Sequence, residues 1–166
     1  METTTMGPLA NPSSAEHLLE QVNEGVAMGA RLLLGGKPKR VQGAVFFEPT
    51  LIIDVPQDSR LMQEENFGPI LSLARVKNEQ QAMEYINDSN YGLSCALYTQ
   101  DQDQALRWSQ EIKAGTIFMN RCDYLDPALA WTGYKNSGKG SGLSSYTFHS
   151  LTKLKSINFK KVESNE

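Results

Sequence analysis

The sequence predicts an α/β protein organised around a parallel β-sheet. Between residues 70 and 119, strand patterns alternate with helix patterns, and each of the two helix patterns begins at a capping residue. Strands that alternate with helices along a chain pair in parallel through crossover connections, so this alternation favours one parallel sheet. The chain has 166 residues, which fits a single domain or one lobe of a larger protein.

The first 60 residues are predicted to contain one helix and three short extended segments. Ser13 and Glu16 form a capping-box pattern, in which a hydroxyl and a carboxylate satisfy free backbone donors at a helix start. The helix is expected to end near Gly29. Pro49 separates the second and third extended segments and favours edge or irregular pairing there. The three segments are 31–34, 45–47 and 50–53.

Three strands and two helices are predicted between residues 70 and 119. Asn78 and Asp101 are residue types that accept hydrogen bonds from the first free N–H groups of a helix. Gly115 stands where a left-handed residue would end the second helix. The first strand is apolar at most positions, which is typical of a strand buried on both faces. The strands are 70–76, 95–99 and 116–119, and the helices begin at residues 79 and 102.

The C-terminal part of the chain departs from this alternation. Asn120 follows the third strand, at the edge where parallel α/β sheets bind ligands, and the long loop 121–140 comes next. Residues 156–160 alternate between polar and apolar types, which predicts a half-exposed strand. We therefore expect a main domain over 1–150, followed by a C-terminal strand and polar tail over 151–166.

Composition and charge argue against several classes of function. A formal net charge of -3 gives no reason to expect a nucleic acid or an anionic membrane as a partner. No apolar run approaches the ~20 residues of a membrane span, and the N-terminus lacks the basic and apolar regions of a signal peptide. The two cysteines, Cys95 and Cys122, show no metal-binding spacing, and we expect a reduced, cytoplasmic setting without a metal.

Two features of loop 121–140 raise chemical alternatives. Gly133, Gly138 and Lys139 have the spacing of a phosphate-binding P-loop, but Gly140 follows instead of the Ser or Thr that holds magnesium. Cys122 would be a nucleophile only with a nearby base or cation to activate it, and both histidines are distant in sequence. A small polar loop residue is the simpler interpretation, and we assign no catalytic residue.

Two further motifs carry a family resemblance. Residues 65–70, Glu-Asn-Phe-Gly-Pro-Ile, are similar to the Glu-x-Phe-Gly-Pro motif of the aldehyde dehydrogenases. Residues 131–138 resemble the late aromatic-Gly-Gly-x-Lys-x-Ser-Gly motif of that family, and the resemblance extends over nearly the whole chain. It implies the parallel-sheet catalytic lobe of an aldehyde dehydrogenase. Thr132 departs from the usual glycine and is expected to restrict the turn, and Ser141 stands where the family commonly has an arginine.

The resemblance implies roles for four residues. Glu65 would accept hydrogen bonds from the hydroxyls of the nicotinamide ribose, and Phe67 would pack beside the nicotinamide riboside of NAD or NADP. Leu125 and Trp131 would line the pocket for a small aldehyde substrate. From the residues alone, Glu64 and Glu65 also read as a solvated pair, which is the usual fate of adjacent carboxylates.

The resemblance also implies which parts of the enzyme this sequence does not supply. In the family, the nucleophilic cysteine, the general-base glutamate and the dinucleotide-binding domain lie upstream of the region that this chain resembles. Neither Cys95 nor Cys122 matches the nucleophile. An intact enzyme would oxidise an aldehyde to a carboxylic acid and would be a homo-oligomer joined in part by the last strand. The chain alone is expected to be inactive, and the alternative is a truncated product or non-catalytic assembly module that binds aldehyde dehydrogenase subunits.

Overall fold

The computed structural model describes residues 5–122 and 124–161, and it divides into two compact units, Met1–Ser89 and Asn90–Glu166. The first unit contains α1 (Ser14–Ala27), β1 (Arg31–Leu34), β2 (Pro38–Val41), β3 (Ala44–Phe47), β4 (Thr50–Ile53), α2 (Arg60–Gln63), β5 (Ile70–Leu73) and α3 (Glu79–Asn87). The second contains β6 (Tyr91–Gly92), β7 (Ser94–Leu97), α4 (Gln102–Glu111), β8 (Thr116–Met119), β9 (Trp131–Thr132), β10 (Tyr134–Lys135), β11 (Ser141–Gly142) and α5 (Thr147–Leu151). The predicted mixed α/β class is confirmed.

The first unit is built on a three-stranded sheet in the order β1–β4–β5. β4 is its central strand, antiparallel to β1 and parallel to β5. β4 is therefore not an edge strand, but its pairing with β1 is irregular, because the register shifts between Leu32 and Leu34. Of the two predicted alternatives, edge or irregular pairing, the second is confirmed for β4. Pro49 separates β4 from β3, which pairs with β2 in a hairpin of its own. Strand β2 was not predicted from the sequence. It is joined to β3 by a tight turn, in which Gln42 and Gly43 both have the positive φ that such a hairpin turn requires.

Helix α1 provides the main packing partner of this unit. Leu18 and Val22 on one face of α1 are buried together with Phe47 of β3. A neighbouring cluster contains Ile52 of β4 and Leu61 of α2. Full burial of a side chain of this size stabilises the fold by about 1.5–3 kcal/mol, so α1 holds the sheet and the short helix α2 in place.

Strand β5 is not buried on both faces, contrary to the prediction. Leu71 and Leu73 are 59 % and 45 % exposed, whereas Ile70 packs against the buried clusters beside α1. The reason is that β5 is an edge strand of its sheet, with one covered and one open face in the part of the chain described. Strand β5 also pairs with β4 and not with β7, so the three predicted strands do not form one sheet.

The second unit contains the other parallel pair, β7 and β8, joined through α4. The helix caps predicted at Asn78 and Asp101 are confirmed, because their side chains accept hydrogen bonds from the backbone N–H groups of Gln81 and Gln104. The Ser13 hydroxyl makes no such hydrogen bond at the start of α1, so the predicted capping box is wrong there. Gly115 does not have the left-handed conformation that was predicted. A Cβ atom there would instead collide with the carbonyl group of Thr132, so the position needs glycine for close backbone approach.

The C-terminal segment differs from its prediction. Helix α5 covers 147–151, and the described residues beyond it, 152–161, form no strand within the chain. The side chains of Leu154, Ile157 and Phe159 are largely exposed. The predicted polar tail, 162–166, lies outside the described residues, and the predicted boundary at 150–151 stays a prediction. In the part of the chain that is described, the helices are too short or too polar to cross a lipid bilayer.

Candidate cofactor and substrate site

The loop between α2 and β5 folds into a tight turn at Asn66, Phe67 and Gly68. The side-chain oxygen of Asn66 accepts a hydrogen bond of 3.0 Å from the Gly68 N–H group. Phe67 has a φ of 48°, a left-handed conformation that costs a residue with a side chain about 1–2 kcal/mol. Strain of this kind persists only where the surroundings fix the backbone, and it clusters at functional sites.

The end of this turn is fixed by packing and by the sheet. A Cβ atom on Gly68 would lie 2.5 and 2.6 Å from the two methyl groups of Leu18, which is fully buried in α1. The next residue, Pro69, accepts a hydrogen bond of 2.8 Å from the N–H group of Thr50 through its carbonyl oxygen. The Gly-Pro pair thus lets the chain press against α1 and enter β5 in register.

As a consequence, the turn presents two of the predicted site residues to solvent. Phe67 is 85 % exposed, which is unusual for an aromatic side chain on a rigid turn. Glu65 is also exposed, and its carboxylate has no hydrogen-bond or ion-pair partner among residues 5–122 and 124–161. An acceptor-only group and an apolar ring therefore lie two residues apart on one surface turn.

Glu64 is not the other half of a solvated pair. Its Oε2 atom accepts hydrogen bonds from Gln21 Nε2 at 3.1 Å and from Arg60 Nε at 3.0 Å. These two hydrogen bonds hold the pKa of Glu64 below its ordinary value, and the one from Gln21 has the larger effect. His17 Nε2 lies 3.9 Å from the same oxygen. Neither partner of Glu64 is predicted from the sequence. Gln21 lies 43 residues before it, whereas Arg60 stands at the i, i+4 spacing of a helical ion pair, a local signal that could have identified it.

The second motif forms a small hairpin in the other unit. Trp131 and Thr132 of β9 pair with Gly142 and Ser141 of β11. The intervening loop is tied to β6, because Ser137 Oγ accepts a hydrogen bond of 2.9 Å from the Gly92 N–H group. A P-loop leads directly into a helix, whereas here strand β11 comes between Lys139 and helix α5. The segment is therefore not a P-loop.

Trp131 is half-buried and borders an open cleft of about 410 Å³. Ser137, Lys139 and Gly140 line the same cleft. Leu125 is 54 % exposed in the loop after β8 and is not among the lining residues. The structure thus places Glu65 and Phe67 on one turn of the first unit and Trp131 at a cleft of the second unit.

The two cysteines have different environments. Burial raises the pKa of the Cys95 thiol, which disfavours the reactive thiolate. Cys122 is exposed, and its side chain lies beside Tyr98, where a hydrogen bond between the two raises the pKa of the Tyr98 hydroxyl. Among residues 5–122 and 124–161, no group of three or more His, Cys, Asp or Glu side chains is arranged to hold a metal ion.

Comparison with known proteins identifies relatives over nearly the full chain. The Aldehyde dehydrogenase family profile matches residues 1–157. The NADP/NAD-dependent aldehyde dehydrogenase PuuC of Escherichia coli is 38% identical over 154 residues, which is 93% of this chain and 30% of that protein. An aldehyde dehydrogenase of Emericella nidulans is 31% identical over 159 residues, which is 96% of this chain and 32% of that protein.

A solved structure agrees with these sequence matches. The NAD+ complex of an aldehyde dehydrogenase from Bacillus cereus superposes with a TM-score of 0.86 at 31% identity. The match covers 95% of this chain and 32% of that one. The chain thus spans about a third of the length of the relatives it matches. The profile match, the sequence identities and the superposition lead to one conclusion: this chain belongs to the aldehyde dehydrogenase family.

Proposed function

We propose that this chain forms part of an NAD(P)-dependent aldehyde dehydrogenase, in which it contributes to cofactor positioning and to the aldehyde pocket. Family membership supports this proposal, as do the cofactors in the names of two relatives: PuuC is NADP/NAD-dependent, and the Bacillus cereus enzyme is a complex with NAD+. The single observation that carries it is the exposed pair Glu65 and Phe67 on one rigid turn.

The residues of the turn fit the nicotinamide ribose. A ribose diol offers two hydroxyl donors, and the Glu65 carboxylate offers only acceptors, with no partner in the described chain that would compete. The exposed ring of Phe67 provides an apolar surface beside which a riboside can pack. NAD or NADP, when bound, supplies the hydride acceptor for aldehyde oxidation. The role of Glu65 and Phe67 is to hold and orient that cofactor.

For the substrate, we assign Trp131 and Leu125 to the lining of the aldehyde pocket. Trp131 presents a large ring at the rim of a cleft, and Leu125 presents an apolar side chain in the loop after β8. Such groups would distinguish aldehydes by the size of their apolar part. No residue of this chain is assigned the role of nucleophile or general base.

Assembly is the second candidate function, and the C-terminal segment favours it. Residues 152–161 expose Leu154, Ile157 and Phe159 in a stretch without a strand partner in the described chain. Association of this segment with a second copy would remove these apolar side chains from water, so the intact protein would be a homo-oligomer. For its location we keep the expectation from cysteine usage, a reduced, cytoplasmic setting. A truncated product or non-catalytic subunit that binds relatives would use the same segment.

The cofactor assignment is tested in an intact enzyme that contains this chain together with its dinucleotide-binding domain, by measuring the affinity for NAD and NADP and the turnover. We expect Glu65→Gln to weaken cofactor binding or lower turnover about fivefold or more, because a neutral amide is a poorer acceptor than a carboxylate. Glu16→Gln, which changes an exposed glutamate of α1, is the matched control and should leave both quantities unchanged. Unchanged affinity and turnover in Glu65→Gln, or equal effects of the two substitutions, would contradict the assignment.

A further inference from the structure

The carboxylate of Glu64 connects the turn that carries Glu65 and Phe67 to two helices at once. Its Oε2 atom accepts one hydrogen bond from Gln21 of α1 and one from Arg60 of α2. We propose that Glu64 is a positioning residue, which fixes the start of the turn so that Glu65 and Phe67 face outward in a defined geometry. This inference rests on the proposed cofactor role of Glu65.

Gln21 makes this anchor rigid. Its side chain is fully buried, at 0 % exposure, although glutamine is usually a surface residue. A buried amide N–H group needs an acceptor, and Glu64 provides it. The contact therefore links the turn to the packed interior of the unit and not only to a mobile surface side chain.

The same face of α1 supports the other end of the turn. Leu18 lies three residues before Gln21, so both side chains are on one side of the helix. Leu18 packs under Gly68, whereas Gln21 binds Glu64. The residues between these two anchors, including Glu65 and Phe67, are thereby held at both ends by a single helix.

The backbone at Glu64 explains why its neighbour points the other way. Glu64 is extended, with φ −113° and ψ 154°, and successive side chains of an extended chain point to opposite sides. Because Glu64 faces α1, Glu65 is directed away from it and into solvent. The adjacent acidic residues thus have separate tasks, one as an anchor and the other as the free acceptor.

Other charged groups share Arg60 but do not hold the turn. Glu20 and Glu24 of α1 lie 3.9 and 3.7 Å from its guanidinium nitrogens, and His17 Nδ1 lies 3.2 Å from Nη2. Glu64 has the shortest ion pair with Arg60, at 3.0 Å. Glu24 is therefore a matched control, since it contacts the same arginine from within α1.

The test measures hydrogen exchange of the Gly68 amide, which the turn protects, in Glu64→Ala, Glu24→Ala and Glu65→Ala. An amide of β4 reports global unfolding in each sample. We expect Glu64→Ala to accelerate Gly68 exchange at least about fivefold relative to the β4 amide, and the two controls to change that ratio less than about twofold. An unchanged ratio in Glu64→Ala, or an equal increase in Glu24→Ala, would overturn the inference.

Gln21→Met provides a second variant in case Glu64→Ala does not fold. This substitution removes the amide donor and fills the buried position with an apolar side chain of similar size. It should accelerate Gly68 exchange in the same way, and no acceleration would overturn the inference. No cofactor is present in these samples, so failure of NAD binding would affect the proposed function and leave the exchange result intact.

Discussion

The hydroxyl group of Thr132 donates a hydrogen bond of 2.8 Å to the carbonyl oxygen of Gly140, across the hairpin that follows Trp131. Thr132 lies in a strand with ordinary backbone geometry, so it does not restrict the turn as the sequence analysis expected. It adds a hydrogen bond that a glycine could not make. Its carbonyl group also approaches Gly115 closely, so Thr132 links two parts of the second unit.

Replacing Thr132 with Val should therefore destabilise this hairpin. Valine keeps the β-branched shape and removes the hydroxyl, and the lost hydrogen bond should lower the free energy of unfolding by about 0.5–1 kcal/mol. Thr132→Ser keeps the hydroxyl and should retain the hydrogen bond to Gly140. Urea unfolding of dilute samples measures both variants. Equal stability of Thr132→Val and the parent chain would show that the bond contributes nothing.

Substitution of Gly68 by Ala should destabilise the turn by overpacking. The new methyl group would lie about 2.5 Å from Leu18, whose buried side chain has little freedom to move, and such overpacking costs about 1–3 kcal/mol. Gly7→Ala is the control in the same unit, because a Cβ atom there meets nothing within 4 Å. Thermal unfolding of both variants provides the measurement, and similar losses in the two would refute the packing argument.

The lowered pKa of Glu64 should make the free energy of unfolding depend on pH in a specific way. Its pKa is lowered in the folded chain, first by the hydrogen bond from Gln21 and then by Arg60. A lowered folded pKa adds stability above the unfolded pKa of about 4.3, and this contribution is lost as the pH falls through the folded value. For a half-exposed ion pair it should amount to about 0.2–1 kcal/mol.

The corresponding measurement compares the parent chain with Glu64→Gln by urea unfolding from pH 7 to pH 3. The parent should be more stable at pH 7, and the difference should shrink as the pH falls below about 4.3 and through the lowered pKa of folded Glu64, because the carboxyl group is then protonated and as neutral as the glutamine. Glu65→Gln is the control, because it removes a carboxylate that has no hydrogen-bond or ion-pair partner in the described part of the chain, and it should not reproduce this pH-dependent difference. A difference between the parent and Glu64→Gln that is independent of pH would argue against the ionised anchor.

Trp131 should influence which aldehydes the intact enzyme prefers. Trp131→Ala enlarges the cleft and removes apolar contact area, so the relative kcat/KM values across a series of straight-chain aldehydes should change by about 1–3 kcal/mol, with cofactor binding nearly unchanged. Trp131→Phe keeps an aromatic surface and should show a smaller change. Steady-state kinetics of an intact enzyme that contains this chain measure the series. If the order and spacing of the kcat/KM values stay the same in Trp131→Ala, the ring has a structural role only.

The chain by itself should show no aldehyde dehydrogenase turnover. Aldehyde oxidation needs a positioned thiolate and a held cofactor, and Cys122 is an exposed loop residue that does not match the family nucleophile. The assay combines the purified chain with NAD and several aldehydes and monitors NADH formation. Robust turnover that Cys122→Ser abolishes would make Cys122 a nucleophile and contradict the assignment.

The sequence by itself determined the elements whose signals are local. Asn78 and Asp101 correctly predicted the starts of two helices, because a capping side chain and the N–H group that it binds lie within one helical turn of each other. The Glu-x-Phe-Gly-Pro stretch carried the family resemblance, and its Gly-Pro pair is a local signal for the turn that holds Glu65 and Phe67. Gly43, at the turn between β2 and β3, is also a local turn signal, but strand β2 was not predicted from it.

Only the tertiary structure decided which segments meet. The partner strands of β4, the open face of β5 and the collision that excludes a side chain at Gly115 all depend on residues far away in the sequence. The different environments of Glu64 and Glu65 also depend on a distant residue, because Gln21, which donates a hydrogen bond to Glu64, lies 43 residues before it. Contacts of this separation leave no periodicity or spacing in the sequence, so two adjacent glutamates looked alike until the fold placed a buried amide beside one of them.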